Sequence, residues 1–227
     1  MLRWLPEDVS TFGQEIDSLF YLIYYITSAT FILVTVLMIV FLVMYRDKEG
    51  RRATYSHGNT TLEIVWTIIP AAILIVLSFM SVSTWANIKR HAPDSDFELG
   101  VTGKQFNWEV TYPGADRKLG TDDDVKFDND LHVPVNKVVR VYLSSKDVIH
   151  SFYLPNLRLR QDAVPGRTIL VWFEATKPGK YELPCSQLCG FGHSGMNGKL
   201  YAHSAEDYEK WRKERWPEGA QQTATKG

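Results

Sequence analysis

The sequence has no excess of either charge, since 25 lysine and arginine residues stand against 26 aspartate and glutamate residues. This balance excludes a nucleic-acid binder held by bulk positive charge. Only two of the 227 residues are cysteine, which excludes a disulfide-dense scaffold but leaves room for one bridge or two metal ligands. The motif Cys-x-x-Cys-His is absent, so no c-type haem is attached to these residues. Disorder is excluded because 45% of the residues are hydrophobic.

Charged residues and histidine are missing from two long stretches, residues 18–45 and 64–88. Each stretch exceeds the roughly 20 residues that a helix needs to cross a hydrocarbon core about 30 Å thick. The sequence therefore predicts two transmembrane helices, at about residues 18–45 and 62–88, surrounded by a lipid bilayer. A cleaved signal peptide is disfavoured, because its apolar region spans only about 7 to 15 residues. A pair of buried core helices is disfavoured as well, because a chain of this size has no obvious place for helices that are apolar on every face.

Basic residues are concentrated between these two stretches. Residues 1–17, the predicted N-terminal extracytoplasmic segment, hold Arg3 as their only basic residue. The connecting loop holds four: Arg46, Lys48, Arg51 and Arg52. Because cytoplasmic loops carry the excess of lysine and arginine, this bias predicts a cytoplasmic loop. Both termini and everything after the second helix are then expected on the opposite, periplasmic or outer side.

The chain changes character at about residue 89. Residues 89–203 are predicted to form one all-β domain, since short β-rich segments alternate with Pro-Gly and Asn-Gly turns. Six strands are expected, at residues 97–101, 105–112, 137–144, 168–175, 179–183 and 198–202. An antiparallel sandwich or barrel fits this spacing. Residues 204–227 are predicted to form a C-terminal helix capped by Ser204, followed by a tail whose last eight or so residues are disordered.

One loop concentrates the residue types that bind soft metals. Cys185 is followed by Cys189, His193 and Met196 at offsets of four, eight and eleven residues. Thiolate, imidazole and thioether ligands together select copper, whereas zinc sites use thiolate, imidazole and carboxylate. Two thiolates in one loop can bridge two metal ions, and His150, directly after a strand, is the expected distant partner. A disulfide between the two cysteines is the alternative, but it would close only a small loop and leave His193 and Met196 unexplained.

These features resemble subunit II of the haem-copper cytochrome c oxidases, across essentially the full length of the chain. The resemblance rests on the two apolar stretches, on residues 147–155 (DVIHSFYLP), on residues 161–167 (QDAVPGR) and on the loop of residues 185–196 (CSQLCGFGHSGM). It implies a membrane-anchored all-β fold, in which a two-helix transmembrane hairpin is followed by a cupredoxin-like Greek-key β-barrel. It also implies a dinuclear, mixed-valence copper centre, CuA, in that barrel.

The copper ligands implied by the resemblance are two bridging thiolates, two imidazoles and two weak donors: Cys185 and Cys189, His150 and His193, and Met196 with the backbone carbonyl of Gln187. An electron shared over two bridged ions changes each bond length only slightly, which keeps the barrier to electron transfer low. The family usually has glutamate at position 187, where it is linked to magnesium at the contact with subunit I. The neutral amide of Gln187 is a poorer ligand for a hard dication, so magnesium binding is left open.

Two further parts of the resemblance point to residues with a role in electron or proton transfer. In the aromatic stretch of residues 103–108 the family commonly has tryptophan at position 106 as the side chain that receives electrons, whereas this chain has Phe106. Trp108 is a further candidate for the side chain through which electrons enter, with contribution by Tyr112 or docking of the donor elsewhere as the alternatives. Glu63, at the start of the second helix, is placed by the resemblance near the entrance of a proton pathway into subunit I; a charge that merely flanks the membrane is the alternative.

The resemblance implies an electron-transfer subunit of cytochrome c oxidase. It accepts electrons from cytochrome c or a membrane-bound donor and passes them to the haems of subunit I, where oxygen is reduced to water and protons are translocated. Subunit III is a further expected partner, nucleic acid is not, and no catalytic residue is expected in this chain. A CuA subunit of a nitric oxide reductase or a membrane-anchored copper carrier is the alternative. The acidic segment of residues 114–130 and the variant form of residues 185–196, the copper loop of the family, favour a bacterial plasma membrane over a mitochondrial inner membrane.

Overall fold

The computed structural model describes residues 4–52, 55, 57–90, 92–95 and 97–216. Their contacts divide the chain into two units: Glu15–Ile88, and Lys89–Gly227 together with Met1–Gln14. The N-terminal segment therefore belongs to the same unit as the β-domain, although two helices separate them in sequence. The tail that the sequence predicts to be disordered lies outside the described residues.

Two long helices make up the first unit: α1 spans Gly13–Met44 and α2 spans Thr60–Lys89. At about 1.5 Å per residue they are about 48 and 45 Å long, which is more than the hydrocarbon thickness of a bilayer. The most apolar part of each helix is not buried anywhere within the described chain. Both helices are long and apolar enough to cross a membrane, and a hydrocarbon environment is the solvent that such surfaces require.

Charges and hydrogen bonds of nearby residues stabilise the ends of both helices. α1 begins before its charge-free stretch, because the carboxylate of Glu15 is favourable in the first turn, where the helix dipole is positive. The guanidinium of Arg51 donates to the carbonyl of Met44 at the end of α1 (3.1 Å). α2 begins after Asn59, whose side-chain oxygen accepts a hydrogen bond from the N–H of Leu62 (3.1 Å).

Ten strands lie in the described part of the second unit. Their bounds in chain order are β1 (Glu98–Lys104), β2 (Asn107–Tyr112), β3 (Val125–Asp128), β4 (Asp130–Pro134), β5 (Val138–Ser145), β6 (His150–Leu154), β7 (Leu159–Ala163), β8 (Ile169–Glu174), β9 (Gly179–Pro184) and β10 (Asn197–His203). They form a five-stranded sheet in the order β3-β2-β1-β5-β8, a three-stranded sheet in the order β4-β10-β9 and the hairpin β6-β7. Strands of different sheets contact one another, β6 with β9 and β1, and β10 with β2. The predicted all-β domain is therefore confirmed.

Two strand pairs depart from the antiparallel arrangement that the sequence predicts. β1 pairs in parallel with β5, and β4 pairs in parallel with β10. A parallel pair needs a long crossover, and here several intervening strands supply it in both cases. The described pairs between strands adjacent in the chain, such as β1 with β2 and β9 with β10, are antiparallel.

Alternation of side chains places the core between the sheets. Along β5, Val139, Val141 and Leu143 are fully buried, whereas the residues between them are partly exposed. The outward-facing Arg140 forms an ion pair with Glu98 of β1 (3.1 Å). Because successive side chains of a strand point to opposite faces, one face of β5 packs in the core and the other carries charge.

The N-terminal segment is bound to the β-domain by backbone hydrogen bonds. Val9 is fully buried, its N–H donates to the carbonyl of Asn156 (2.9 Å), and its carbonyl accepts from the N–H of Thr176 (2.8 Å). Phe12 packs edge-on against Trp172, with 5.2 Å between ring centroids. These contacts hold the residues that precede α1 against the domain that follows α2.

The C-terminal helix α3 spans Ala205–Arg215 and starts at the predicted cap. The hydroxyl oxygen of Ser204 accepts a hydrogen bond from the N–H of Asp207 (3.1 Å), which confirms Ser204 as the N-cap. Trp211 and Tyr208 lie on this helix, and Tyr208 is buried against the domain. The helix is therefore docked by its aromatic residues rather than by a long apolar face.

A histidine of the β-domain lies at the centre of this docking contact. The ring of His132 stacks between Trp211 and Tyr201, at centroid distances of 4.1 and 4.4 Å. Its Nδ1 forms a hydrogen bond with Nε2 of His203 (2.8 Å). Burial lowers the pKa of His132 to about 3, and the nearby His203 and Arg215 add to this shift. The folded domain therefore keeps His132 neutral.

We expect the β-domain to lose stability as the pH falls from about 7 towards 4. The unfolded chain takes up a proton at His132 near the ordinary pKa of about 6.5, whereas the folded chain does not bind it until a much lower pH. Because the unfolded state binds more protons in this window, the free energy of unfolding falls by at most about 1.4 kcal/mol per pH unit for one proton. Urea unfolding of the full chain in mild detergent, followed by near-ultraviolet circular dichroism, measures this.

Two variants separate His132 from other titrating groups. His132→Phe keeps an aromatic ring in the stack but removes the proton site, so the midpoint should depend less on pH. His57→Gln changes an exposed histidine of the loop between the helices and should keep the wild-type dependence. Identical pH dependence in wild type and His132→Phe would contradict this account.

Candidate metal centre

The loop of residues 185–196 connects two antiparallel strands, β9 and β10. Its ends are closed by a hydrogen bond from the N–H of Cys185 to the carbonyl of Met196 (3.0 Å). Within the loop His193–Gly195 form a 3₁₀ turn, and Gly190 has a φ of 135°, which glycine adopts at no steric cost. The four soft ligands predicted in this loop therefore come from a single hairpin connection.

His150 reaches this loop from a distant part of the chain. It is the first residue of β6 and is fully buried. The next residues fasten β6 to the loop: the N–H of Ser186 donates to the carbonyl of Ser151 (2.9 Å), and Phe152 forms a β-bridge with Cys185. The backbone pairing therefore fixes where the His150 ring meets the loop.

Each thiol lies beside one imidazole. Cys185 Sγ is 3.8 Å from Nδ1 of His150, and Cys189 Sγ is 3.5 Å from Nδ1 of His193. The two sulfur atoms are 4.0 Å apart. The structure thus places two thiols at the centre of the cluster and an imidazole on each side.

Two weaker donors lie next to the thiols. Met196 Sδ is 3.9 Å from Cys189 Sγ, and the carbonyl oxygen of Gln187 is 3.2 Å from Cys185 Sγ. Met196 and both cysteines are buried, whereas the side chain of Gln187 is exposed. All six residues that the sequence analysis singles out as ligands are therefore brought together.

The donor set fits a metal rather than a disulfide. The sulfur separation of 4.0 Å is about twice the S–S bond length of about 2.05 Å, and both cysteines are free thiols. It is also less than twice a metal–thiolate bond of about 2.3 Å, so one ion can bond to both sulfur atoms. The ligand atoms of His150, Cys185 and Cys189 lie within 4.8 Å of one another.

The Cys189 thiol needs a nearby cation in order to ionise at neutral pH. Burial raises the pKa of Cys189 to about 11, and the neighbouring Cys185 adds to the shift. Because only the thiolate is a metal ligand, a bound cation has to displace the proton. Metal uptake at this cluster is therefore coupled to proton release.

The carboxylate of Asp147 orients the His150 ring. Nε2 of His150 lies 2.8 Å from Oδ1 of Asp147. Burial works to raise the pKa of Asp147, but hydrogen bonds from His150 and from the backbone N–H groups of Gln105 and Val148 outweigh it and lower that pKa. Asp147 is therefore an acceptor, Nε2 carries the proton, and the lone pair of Nδ1 faces Cys185. Such a carboxylate partner is typical of a histidine that binds a metal.

The hairpin that joins β1 and β2 closes the cluster from another side. A methyl group added at Gly103 would lie 2.8 Å from Cδ2 of His150, so only a residue without a side chain fits here. The side-chain amide of Gln105 donates to the carbonyl of Cys189 (2.6 Å). Sequence reasoning assigns no role to Asp147, Gly103 or Gln105. The position of Asp147 three residues before His150 is the one sequence signal that could have indicated its role.

Phe106 and Trp108, the first two candidates for electron acceptance, lie in different environments. The side chain of Phe106 is 37% exposed, and its ring lies against the backbone of the copper loop, 2.5 Å from where a methyl group at Gly192 would be. Trp108 is fully buried and packs edge-on against His150, with 5.9 Å between ring centroids. Its indole N–H has no hydrogen-bond partner among the residues that the structure describes. Phe106 is thus the outer aromatic and Trp108 the inner one.

Glu63 lies in the first turn of α2. Its side chain is exposed in the isolated chain, and its carbonyl accepts a hydrogen bond from the hydroxyl of Thr67 (2.7 Å). It belongs to the unit Glu15–Ile88, whereas the candidate metal ligands belong to the other unit.

Exposed apolar side chains flank the ligands in sequence. Leu188 and Phe191 lie within the copper loop, and Phe191 is fully exposed. Val148 and Ile149, just before His150, are also exposed. Large apolar side chains that stay in water around a functional site are typical of an interaction surface.

Two family models match the chain over most of its length. The model described as "Cytochrome C oxidase subunit II, transmembrane domain" matches residues 4–84. The model described as "Cytochrome C oxidase subunit II, periplasmic domain" matches residues 105–200. The second match contains all six candidate ligands.

Individual relatives agree with these matches. Cytochrome c oxidase subunit 2 of Thermostichus vulcanus is 31% identical over 92% of this chain and 78% of its own length. The protein of the same name from Synechocystis sp. is 28% identical over 91% of this chain and 74% of its own length. Among solved structures, the periplasmic domain of subunit II of cytochrome oxidase (CoxB) of Bradyrhizobium japonicum is 32% identical, with a TM-score of 0.49, and the match covers 56% of this chain and 99% of that domain.

Proposed function

The chain belongs to the cytochrome c oxidase subunit II family, and on that premise we propose that its β-domain holds a dinuclear copper centre of the CuA type. It is a subunit of an oxidoreductase, cytochrome c oxidase. We infer that it accepts electrons from cytochrome c or a membrane-bound donor. The electrons then pass to the haems of the partner subunit, where oxygen is reduced to water and protons are translocated.

The observation that carries this proposal is the arrangement of the donors. Two thiols lie 4.0 Å apart, and each has a different imidazole beside it. In the proposed centre Cys185 and Cys189 would hold the two copper ions, together with the imidazoles of His150 and His193. Met196 and the carbonyl of Gln187 are the weak donors. When bound, the copper pair supplies reversible one-electron redox chemistry.

The surrounding residues serve this chemistry by holding the ligands still. His150 is fixed at one nitrogen by Asp147 and enclosed by Gly103 and Trp108, so its ring has little freedom to turn. Cys185 and Met196 are fixed to each other through the backbone hydrogen bond that closes the loop. Buried, hydrogen-bonded ligands exclude water and rearrange little when the charge of a site changes.

We infer that electrons enter at the Phe106 side of the site. Phe106 is partly exposed and touches the copper loop, which supports contact with a donor on one side and with the ligands on the other. Trp108, which lies against His150, is the inner part of this route in our proposal. Electrons would then leave towards the haem-bearing subunit I.

The proposed topology places both termini and the copper domain on the periplasmic side of a bacterial plasma membrane. The basic loop between α1 and α2 supports a cytoplasmic location for that loop. The contact of Val9 with the β-domain supports a shared side for the N-terminus and the domain. The exposed apolar residues beside the ligands support docking of other oxidase subunits, in our proposal subunits I and III. The roles of Glu63 in proton entrance and of position 187 in magnesium binding stay predictions.

The function is tested on the complex purified from its native membranes through an affinity tag on the full chain. We expect a haem-bearing large subunit to copurify, reduced cytochrome c to reduce the copper before the haem, and oxygen to be consumed. A chain that is isolated without haem and yields its copper to another apo-protein would be a copper carrier, and the proposal would fail. Consumption of nitric oxide instead of oxygen would identify a nitric oxide reductase.

The same complex tests the role of Phe106. Phe106→Ala should slow reduction of the copper by cytochrome c about 5- to 30-fold, since an aromatic side chain at the centre of a contact contributes about 1 to 2 kcal/mol. Phe106→Trp keeps a large ring and should keep the wild-type rate. Stopped-flow absorbance measures the step, and the copper spectrum shows whether the site itself is intact. An unchanged rate in Phe106→Ala would place the point of electron acceptance elsewhere.

A further inference from the structure

We propose that Gln105 is a positioning residue whose hydrogen bonds link the His150 side of the metal centre to the copper loop. This link keeps the ligand distances at the two metal positions similar. The inference rests on the proposed function, because it concerns the ligands of the CuA centre. Gln105 belongs to the turn between β1 and β2, next to Phe106, and its side chain is exposed rather than packed in the core. Its contribution therefore lies in its hydrogen bonds.

One of these hydrogen bonds fastens the copper loop. Nε2 of Gln105 donates to the carbonyl oxygen of Cys189 at 2.6 Å, although the two residues are 84 positions apart in sequence. The next residue of the loop is Gly190, where an added methyl group would lie 2.8 Å from the same Nε2 atom. The positive φ and the missing side chain of Gly190 thus allow the Gln105 amide to reach the backbone of Cys189.

The other hydrogen bond fastens the His150 side. The backbone N–H of Gln105 donates to Oδ2 of Asp147 at 2.7 Å. The second oxygen of the same carboxylate, Oδ1, accepts from Nε2 of His150 at 2.8 Å. A single residue is therefore linked through Asp147 to one imidazole ligand and directly to the main chain of one bridging cysteine.

This arrangement couples two segments that are otherwise attached to different strands. His150 is the first residue of β6 and Asp147 lies three residues before it, whereas Cys189 lies midway along the β9–β10 connection. If the link at Cys189 is lost, the loop can shift while His150 stays held by Asp147. The two metal positions would then differ in their ligand distances, and an electron would favour one of them.

The hydrogen bond to the carbonyl of Cys189 requires a donor, which the side-chain amide of Gln105 supplies. A glutamine side chain donates through its NH₂ group, whereas a glutamate side chain at neutral pH only accepts, so it would repel a carbonyl oxygen. Gln105→Glu and Gln105→Met both remove the donor while keeping side-chain length. Both keep the backbone N–H and hence the hydrogen bond to Asp147. They therefore test the link to Cys189 separately from the link to His150.

Asn107, the first residue of β2, provides the matched control in the same hairpin. Its side-chain amide donates to Oδ1 of Asp128 on β3 (2.7 Å), so Asn107→Leu removes a comparable hydrogen bond outside the site. Circular dichroism of each variant shows whether the domain is folded. If Gln105→Glu does not fold, Gln105→Met, which adds no charge, gives the answer.

The experiment loads the full chain, in detergent, with copper and measures three properties. Electron paramagnetic resonance reports how evenly the unpaired electron is shared, competition with a copper chelator reports affinity, and redox titration reports the potential. In both Gln105 variants we expect an unequal hyperfine pattern, a shifted potential and a copper dissociation constant about 10-fold higher, the usual effect of losing a residue that supports a ligand. Asn107→Leu should match wild type.

Two results would overturn the inference about Gln105. One is a hyperfine pattern, potential and affinity in Gln105→Glu and Gln105→Met that equal those of wild type. The other is the same disturbance in Asn107→Leu, which would assign the effect to the turn as a whole. Failure of the proposed function is distinguishable, because in that case wild type itself would show no shared-electron signal.

Discussion

Replacing Cys185 with serine should abolish the paired copper centre. Cys185→Ser removes one of the two thiols that lie 4.0 Å apart, and a hydroxyl is a hard donor that does not bridge copper as a thiolate does. We expect copper affinity to fall by more than about 100-fold, because loss of a residue that only supports a ligand already lowers metal affinity by up to about 100-fold. The shared-electron resonance signal should be lost. Copper analysis and electron paramagnetic resonance of the full chain in detergent measure both effects.

Neighbouring positions supply the controls for this result. Cys189→Ser should have the same effect, because both sulfur atoms are proposed bridges. Ser186→Ala changes the next residue of the loop, keeps the backbone hydrogen bond to Ser151, and should leave the signal and the stoichiometry as in wild type. If Cys185→Ser retained a shared-electron signal, the bridging role of that thiol would be wrong.

A single methyl group at Gly103 should disturb the site nearly as strongly. In Gly103→Ala the added carbon would lie 2.8 Å from Cδ2, 3.0 Å from Cγ and 3.1 Å from Cβ of His150, closer than side-chain carbons pack. The ring has to move, and with it the Nδ1 atom and the hydrogen bond to Asp147. We expect copper affinity to fall about 10- to 100-fold, as for other disturbances of residues that support a metal ligand. Chelator competition on the full chain measures the change.

Gly100→Ala is the matched control on the same strand. There the added methyl group would meet Cβ of Thr111 at 3.5 Å, an ordinary packing distance. Since alanine loses less backbone entropy than glycine on folding, this variant should keep its copper affinity and be as stable as wild type or more stable, by up to about 1 kcal/mol. Equal copper affinity in Gly103→Ala and wild type would show that His150 is not held against this strand.

Features of this protein that depend on residues close together in the chain are predicted from the sequence, whereas contacts between distant residues are not. The two helices are predicted from local charge and length, and the candidate loop ligands Cys185, Cys189, His193 and Met196 are predicted from their spacing. The Ser204 cap is local as well, and the structure confirms it. These features need no knowledge of which strands lie side by side.

The sequence fails where strands are short or buried on both faces. β3 has four residues, and β4 and β6 are buried at nearly every position, so no alternating pattern distinguishes them. The parallel pairing of β1 with β5 also has no local signal. Without that pairing there is no way to see that Gly103 lies against His150.

The supporting residues around the metal centre were beyond sequence reasoning for the same reason. Asp147 could be noticed from its position three residues before His150, but Gln105 meets Cys189 only because the β1–β2 turn and the β9–β10 loop come together in space. The ligand types predict the chemistry of the site. The contacts that keep those ligands in place depend on the tertiary structure.

We propose that two copper ions share one electron in this chain, and copper-loaded full-length protein is the sample in which this can be measured. We expect two copper ions per chain and an electron paramagnetic resonance spectrum whose hyperfine pattern is richer than one copper nucleus can give. A pattern from a single copper nucleus, or a chain without copper in which Cys185 and Cys189 form a disulfide, would contradict the account, and the electron-transfer role would have to be withdrawn.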